Sequence, residues 1–341
     1  MQYTTLGSSG LIVSRLAFGS MTFTRDAHFA GITKTTGADV DAIVGQAIDG
    51  GINFFDTADI YSAGQSEEVL GAALASRRGE VVIATKVRGR MGEALVQAGL
   101  SKRNIHYSID QSLRRLGTDW VDLYIAHWED VYTPLEETLE ALDAVVRSGK
   151  ARYIGFSNWA PWKVAAALEM QKANGWARFT HGQVYYSLVG RDVERDMVPM
   201  ARHYGLGLTC WSPLGGGLLS GRYTRDTAPG GDDRLASFDF IPTDKAKAFD
   251  ILDAVREIAV ELDASVAQVA LAWLLTRPAV SSVIVGASKP HQLADNLGAA
   301  DIVLPDAALA RLDALGRPET LYPQWHNDMF HDTAARAALG R

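Results

Sequence analysis

Asp56, Tyr61, Lys86 and His127 each stand at or just past the end of an apolar run. Asp56 closes Ile52-Asn53-Phe54-Phe55, Lys86 closes Val81 to Thr85, and His127 closes Val121 to Ala126. Tyr61 lies one short loop beyond Asp56. The set offers a tyrosine acid, a lysine cation, a carboxylate to hold that cation and an imidazole donor. Such residues can share one pocket if their strands run parallel in a closed barrel, because the C-terminal strand ends then converge on one face. Taken singly, each has a structural alternative: a helix N-cap for Asp56, a loop anchor for Tyr61, a solvent-reaching strand end for Lys86 and a hydrogen-bonded structural histidine for His127.

The elements needed to bring them together are legible. Strand-like runs occupy Leu16 to Ser20, Asn53 to Asp56, Val81 to Lys86, Val121 to His127, Tyr153 to Ser157, His181 to Val184, Gly207 to Trp211 and Ser282 to Val285. Amphipathic stretches separate them, a pattern that implies helical crossovers, a parallel sheet and, with eight units, a closed (β/α)8 TIM barrel in the α/β class. Ile105, Ile109, Leu113 and Leu116 draw one helical stripe ending at Gly117. Thr133-Pro134-Leu135-Glu136 predicts another helix with a threonine N-cap, proline at the first position and a capping box, closing at Gly149. Before the barrel, Tyr3 to Leu6 and Leu11 to Val13 flank Gly7-Ser8-Ser9-Gly10 and predict a hairpin that plugs the N-terminal mouth. The Gly- and Asp-rich stretch from Gly215 to Pro242 reads as a loop able to fold over a ligand.

The 341 residues suit one barrel domain, 1–341, with a tail over 321–341 that begins irregularly. A net charge of -7 argues against a nucleic-acid partner, whose phosphates call for lysine and arginine. Met1 to Gly10 has no signal-like segment and no later run approaches membrane-spanning length, so a cytoplasmic protein without a membrane partner is expected. Cys210, the only cysteine, excludes an intrachain disulfide and reads as a small apolar filler of a buried strand. A metal-dependent barrel hydrolase would need a cluster of histidines and carboxylates that His127 and Asp56 alone do not supply.

Several ordered segments resemble the aldo-keto reductase superfamily: Gly51-Ile52-Asn53-Phe54-Phe55-Asp56-Thr57-Ala58-Asp59-Ile60-Tyr61, Thr85-Lys86, Leu123-Tyr124-Ile125-Ala126-His127, Ile154-Gly155-Phe156-Ser157-Asn158, Trp211-Ser212-Pro213-Leu214, and Val285-Gly286-Ala287-Ser288-Lys289-Pro290 followed by Gln292, Asp295 and Asn296. Their order and spacing cover nearly the whole chain. Gly286-Ala287 stands where some branches carry Lys-Ser, and Gln292 where they carry arginine, which places the resemblance nearest the branch of potassium-channel β subunits and many bacterial oxidoreductases.

The resemblance implies reversible, nicotinamide-dependent reduction of an aldehyde or ketone, with Asp56, Tyr61, Lys86 and His127 as the catalytic tetrad and no metal. A nearby ammonium favours a phenolate, which makes Tyr61 a better proton donor. It further implies that Ser157, Asn158 and Gln183 hold the nicotinamide carboxamide, with Tyr186 or Trp211 stacked on the ring. Ser20, Met21 and Asp56 border it. Ser212, Pro213, Leu214, Gly217, Leu219, Gly221 and Arg222 would meet the pyrophosphate. Gly286, Ser288, Lys289, Gln292, Asp295 and Asn296 would meet the adenosine end, favouring NADP(H) and leaving NAD(H) open. Met21, Phe23, Trp128, Trp159, Tyr223 and Trp325 are the candidate substrate contacts. The alternative implied by the same branch is a binding protein that senses nucleotide redox state. Oligomeric state is not readable from the sequence.

Overall fold

The computed structural model describes residues 1–24, 35–226, 241–330 and 332–340. Eight parallel strands close into a barrel: β3 (Leu16–Gly19), β4 (Phe54–Asp56), β5 (Val82–Val87), β6 (Val121–Ala126), β7 (Ala151–Ser157), β8 (Phe179–Tyr185), β9 (Gly207–Trp211) and β10 (Val280–Val285), with β10 pairing back onto β3. Each coincides with a run expected from the sequence, give or take two residues at its ends. The strands are buried on both faces, which is why they read as continuous apolar runs.

Outward-facing residues such as Phe55, Ile83 and Tyr124 meet the surrounding helices, while Ala17, Phe54, Val82, Ala84, Leu123, Ile125 and Ile284 fill the interior. The hairpin of β1 (Tyr3–Thr5) and β2 (Ile12–Ser14) contributes Leu6 and Val13 to that interior cluster and so stoppers the N-terminal end. Among the described residues nothing comparable fills the opposite end, where the strand termini carry polar side chains.

Helix α3 (Lys102–Leu116) buries the predicted stripe, starts at Ser101, whose side chain accepts from Asn104 N, and stops at Gly117 in the left-handed conformation (φ 64°). Helix α4 (Leu135–Arg147) departs from expectation at its start. Pro134 is the N-cap and no side chain caps the helix; the Thr133 hydroxyl instead donates to Asp130 Oδ2 at 2.7 Å, a carboxylate that outcompetes the backbone amides. In the 215–242 stretch, Gly215–Ser220 forms a short 3-10 segment, and 227–240 lie outside the described residues. Of the tail, Gln324–Met329 and Thr333–Ala338 are short helices. No single described helix is long and apolar enough to cross a membrane.

Helix α2 (Gln65–Leu74) follows the Tyr61 turn and fixes it against α3. A Cβ on Gly71 would lie 2.3 Å from the Leu116 carbonyl oxygen, so the two helix backbones touch there. Alanine in place of glycine favours a helix by about 1 kcal/mol in isolation, but overpacking against backbone costs about 1–3 kcal/mol and has no flexible side chain to yield. We expect Gly71→Ala to lower unfolding free energy in denaturant titration; unchanged or raised stability would show that the helix pair separates freely.

Candidate active site

The centre of the site is the Lys86 ammonium, fully buried inside the barrel near the end of β5. All three of its protons have acceptors: Asp56 Oδ1 at 2.6 Å, the Thr57 carbonyl at 2.8 Å and the Tyr61 hydroxyl at 3.2 Å. Burial alone would lower its pKa, but the charge of Asp56, the neighbouring Tyr61 and the hydrogen bonds to both outweigh it and hold the group above the ordinary lysine value. The site therefore keeps a permanent cation behind the Tyr61 oxygen.

Asp56 ends β4 and uses both carboxylate oxygens, Oδ1 for Lys86 and Oδ2 for the Gln183 Nε2 donor at 2.7 Å. Tyr61 opens a tight turn in which Ser62, Ala63 and Gly64 all take positive φ (48°, 52° and 95°). Two of these are not glycine, a strain that local anchoring must offset. The Ser62 hydroxyl donates to the Phe23 carbonyl at 3.0 Å and supplies part of it. The phenol ring then lies with its centroid 4.8 Å from Lys86 Nζ and 5.8 Å from the His127 ring.

His127 follows β6, its amide bonded to the Val87 carbonyl at 3.0 Å. Burial, followed by the nearby Lys86 charge, pushes its pKa well below the usual histidine range, so the imidazole is neutral at physiological pH. Its Nδ1 is buried without a partner among the described residues. The four residues thus converge as expected: a neutral imidazole and a phenol beside a buried ion pair, at the floor of a cavity of about 410 Å³.

Of the residues expected around this centre, Met21, Asp56, Ser157, Asn158, Gln183, Trp211, Ser212, Pro213, Leu214, Gly217, Gly286 and Asn296 line the cavity, as does Trp128. Asn158 bridges its neighbours, donating to the His127 carbonyl and to Ser157 Oγ and accepting from Trp211 Nε1 at 3.1 Å. The other expected residues do not form the wall. Ser20 is buried, bonded to the Asp56 carbonyl and to Ser66. Ser288 donates to Gln292 Oε1 through both its amide and hydroxyl, and Asp295 Oδ2 accepts from Ser265. Lys289 N-caps the helix Pro290–Gly298, and its ammonium lies 3.9 Å from Asp39. Leu219 is buried, and Gly221 and Arg222 lie beyond the cavity wall along the same loop.

Four of the six expected substrate contacts are placed elsewhere. Phe23 packs on Phe18, Trp159 packs edge-on against Phe179, Tyr223 is buried, and the tail's Trp325 stacks near Tyr322; none lines the cavity. Tyr186 packs against Trp273 and donates to Glu194, which leaves Trp211 as the aromatic face in the wall. The glycine loop is bonded largely to itself. The amides of Gly215, Gly216, Gly217 and Leu219 are spent on Ser212 and Leu214 oxygens, so at these positions glycine supplies room rather than donors.

A buried polar cluster behind the tetrad escaped the sequence reading. Glu67 accepts from Thr85 Oγ1 at 2.5 Å and from Arg115 Nε at 2.6 Å, and joins the outer side of β5 to α2 and α3. Beside it, burial and then the Glu67 charge push the Asp59 carboxyl well above the usual carboxylate range. The detectable signal was Glu67 lying on the same helical stripe as Leu70, Gly71 and Leu74.

Comparison with known proteins places this geometry in context. The aldo/keto reductase family model matches residues 15–317. A probable voltage-gated potassium channel subunit beta from rice is 36% identical, covering 89% of this chain and 92% of that protein. An uncharacterized oxidoreductase of Bacillus subtilis is 37% identical over 92% and 95% of the two chains. A versiconal hemiacetal acetate reductase of Aspergillus parasiticus is 33% identical over 95% and 99%. The closed barrel, the four converging side chains and a match over most of the length agree: the chain belongs to the aldo/keto reductase family and is an oxidoreductase acting on carbonyl and CH-OH groups.

Proposed function

We propose that this protein reduces an aldehyde or ketone to an alcohol, reversibly and with NADP(H), with Tyr61 as the general acid. The observation that carries the reading is the unbroken chain Asp56–Lys86–Tyr61, with bonds of 2.6 and 3.2 Å, ending in a phenol at the cavity. When a carbonyl is reduced, negative charge grows on its oxygen, and a fixed donor there stabilises the transition state. Tyr61 donates the proton while Lys86 stabilises the phenolate left behind, and Asp56 keeps the ammonium in place. His127, being neutral, orients the carbonyl oxygen through a ring N–H without adding charge.

A bound dinucleotide would supply the hydride to the carbonyl carbon. The wall fits such a group: a Cβ on Gly217 would meet nothing within 4 Å, and one on Gly286 only the Gly19 carbonyl at 3.9 Å, so bare backbone borders open space. Ser157, Asn158 and Gln183 would hold its carboxamide, and Trp211 would cover the ring. Lys289, at the start of the helix Pro290–Gly298, would face a 2'-phosphate, with Ser288 exchanging its bonds to Gln292 for phosphate oxygens, which is the argument for NADP(H) over NAD(H). The substrate is a small carbonyl compound, the working compartment is the cytoplasm, and neither nucleic acid nor membrane is needed. A redox-sensing role is the second reading, prompted by the likeness to potassium channel β subunits.

Fluorescence titration with NADPH and with NADH, followed by absorbance decay on a panel of aldehydes and ketones, tests the proposal. Tight NADPH binding with decay is the expected result; binding without decay on any carbonyl would favour the sensor, and no binding would remove both readings. Tyr61→Phe should bind the nucleotide normally and lose about 10²–10⁴-fold in turnover, the usual share of a general acid; near-normal turnover would take that role from Tyr61. Because the His127 pKa is depressed, kcat/KM between about pH 6 and 8 should show no limb from an imidazole near 6.5. An inflexion there that His127→Gln abolishes would contradict the neutral ring.

A further inference from the structure

Just beyond β5, Arg88 takes φ 141°, an unusual backbone conformation for a residue with a side chain. Its surroundings hold it there. Its carbonyl accepts from Gly99 N at 2.9 Å, and the next residue, Gly89, packs so closely on Ile60 that a Cβ would lie 2.6 Å from Ile60 Cδ1. This segment therefore leans on the residue before Tyr61, while the Val87 carbonyl is bound by the His127 amide.

The side chain is half-buried, with its guanidinium 4.9 Å from the centroid of the Trp128 ring. Trp128 lines the cavity, and its ring centroid lies 4.7 Å from that of His127. One aromatic ring thus separates the cation from the imidazole. Among the described residues the Arg88 guanidinium has no hydrogen-bond acceptor, and its Nε is buried without one. Asp130, the carboxylate near enough to feel this charge, already accepts from Leu100 N, Tyr132 N and the Thr133 hydroxyl. At the floor of the cavity, Asp56 and Lys86 offset each other. Asp130 tempers this charge without bonding to it, and the guanidinium stands one ring behind the cavity wall, a planar five-donor group matched to a carboxylate and without an acceptor among the described residues.

We propose that Arg88 is a specificity-determining residue that selects carbonyl substrates bearing an anionic group, a carboxylated aldehyde or ketone, by pairing with the carboxylate at the Trp128 rim while His127 and Tyr61 hold the carbonyl. This rests on the reductase reading of the same site. A bound carboxylate satisfies the stranded guanidinium donors, and Trp128 stacks on the body of the substrate.

The test compares 4-carboxybenzaldehyde with its neutral methyl ester, at saturating reduced nucleotide. The wild-type protein should favour the acid, with a preference that shrinks as salt rises. Arg88→Ala should cut kcat/KM for the acid about tenfold, chiefly through KM, and leave the ester nearly unchanged; Arg88→Lys should recover part of the loss. Equal losses on both substrates, or a wild-type protein indifferent to the charge, would overturn the proposal while leaving the reductase intact. A wild-type protein that reduces neither these nor any other carbonyl would sink the reductase reading and this proposal together.

Discussion

An ammonium without a water shell is the constraint on which this structure turns. Moving a charge from water into a protein interior costs several kcal/mol even after relaxation, and only good partners offset it. Lys86 has three, and each comes from the segment between Asp56 and Tyr61. That segment must therefore leave β4, pass beside the Lys86 side chain and return in a few residues, which is the task of the strained turn at Ser62 and Ala63. The turn in turn depends on Phe23 and on α2 pressed against α3. Loss of the ion pair would leave an uncompensated charge within the barrel, so the contacts that build the site also hold the fold.

The barrel adds the geometry that a pair alone lacks. Parallel strands set side by side bring Asp56, Lys86 and His127 to neighbouring strand ends, and their order around the barrel follows their order in the chain. Polar groups of this kind cannot be scattered through a packed interior. They are gathered at one end, while the hairpin closes the other with apolar side chains. The cavity's direction is thus a result of which end was stoppered.

How much of this could be read beforehand follows from the range of each interaction. The eight strands and the stripe of α3 were legible because burial on a strand or a helix face leaves a local pattern. Asp56, Lys86 and His127 were legible because each ends an apolar run, with Tyr61 one short loop beyond Asp56, and the resemblance to a known family supported their grouping. What was not legible lay in contacts between distant segments. Thr133 has the sequence of an N-cap, yet Asp130 takes its hydroxyl. Phe23, Trp159, Tyr223 and Trp325 are aromatic residues in loops or the tail, and only packing decides that none faces the cavity. The glycines after Leu214 announce an open backbone, but the spending of their amides within the loop depends on its conformation. Arg88 offered no sign, since what sets it apart is the acceptor that its Nε lacks among the described residues.

The bond from Gln183 to Asp56 carries one more consequence. An amide side chain is nearly symmetric in shape, and its two ends differ only in what they can bond. With Nε2 donating to a carboxylate that also neutralises Lys86, the amide cannot turn over without facing oxygen to oxygen. Gln183 therefore holds its carbonyl oxygen and the second proton of Nε2 in fixed places, so a polar group entering the cavity meets an acceptor and a donor that cannot be exchanged. A planar ligand that bonded to both would be held one way round and not the other. The buried cation, through its carboxylate, would then set the orientation of a molecule it never touches.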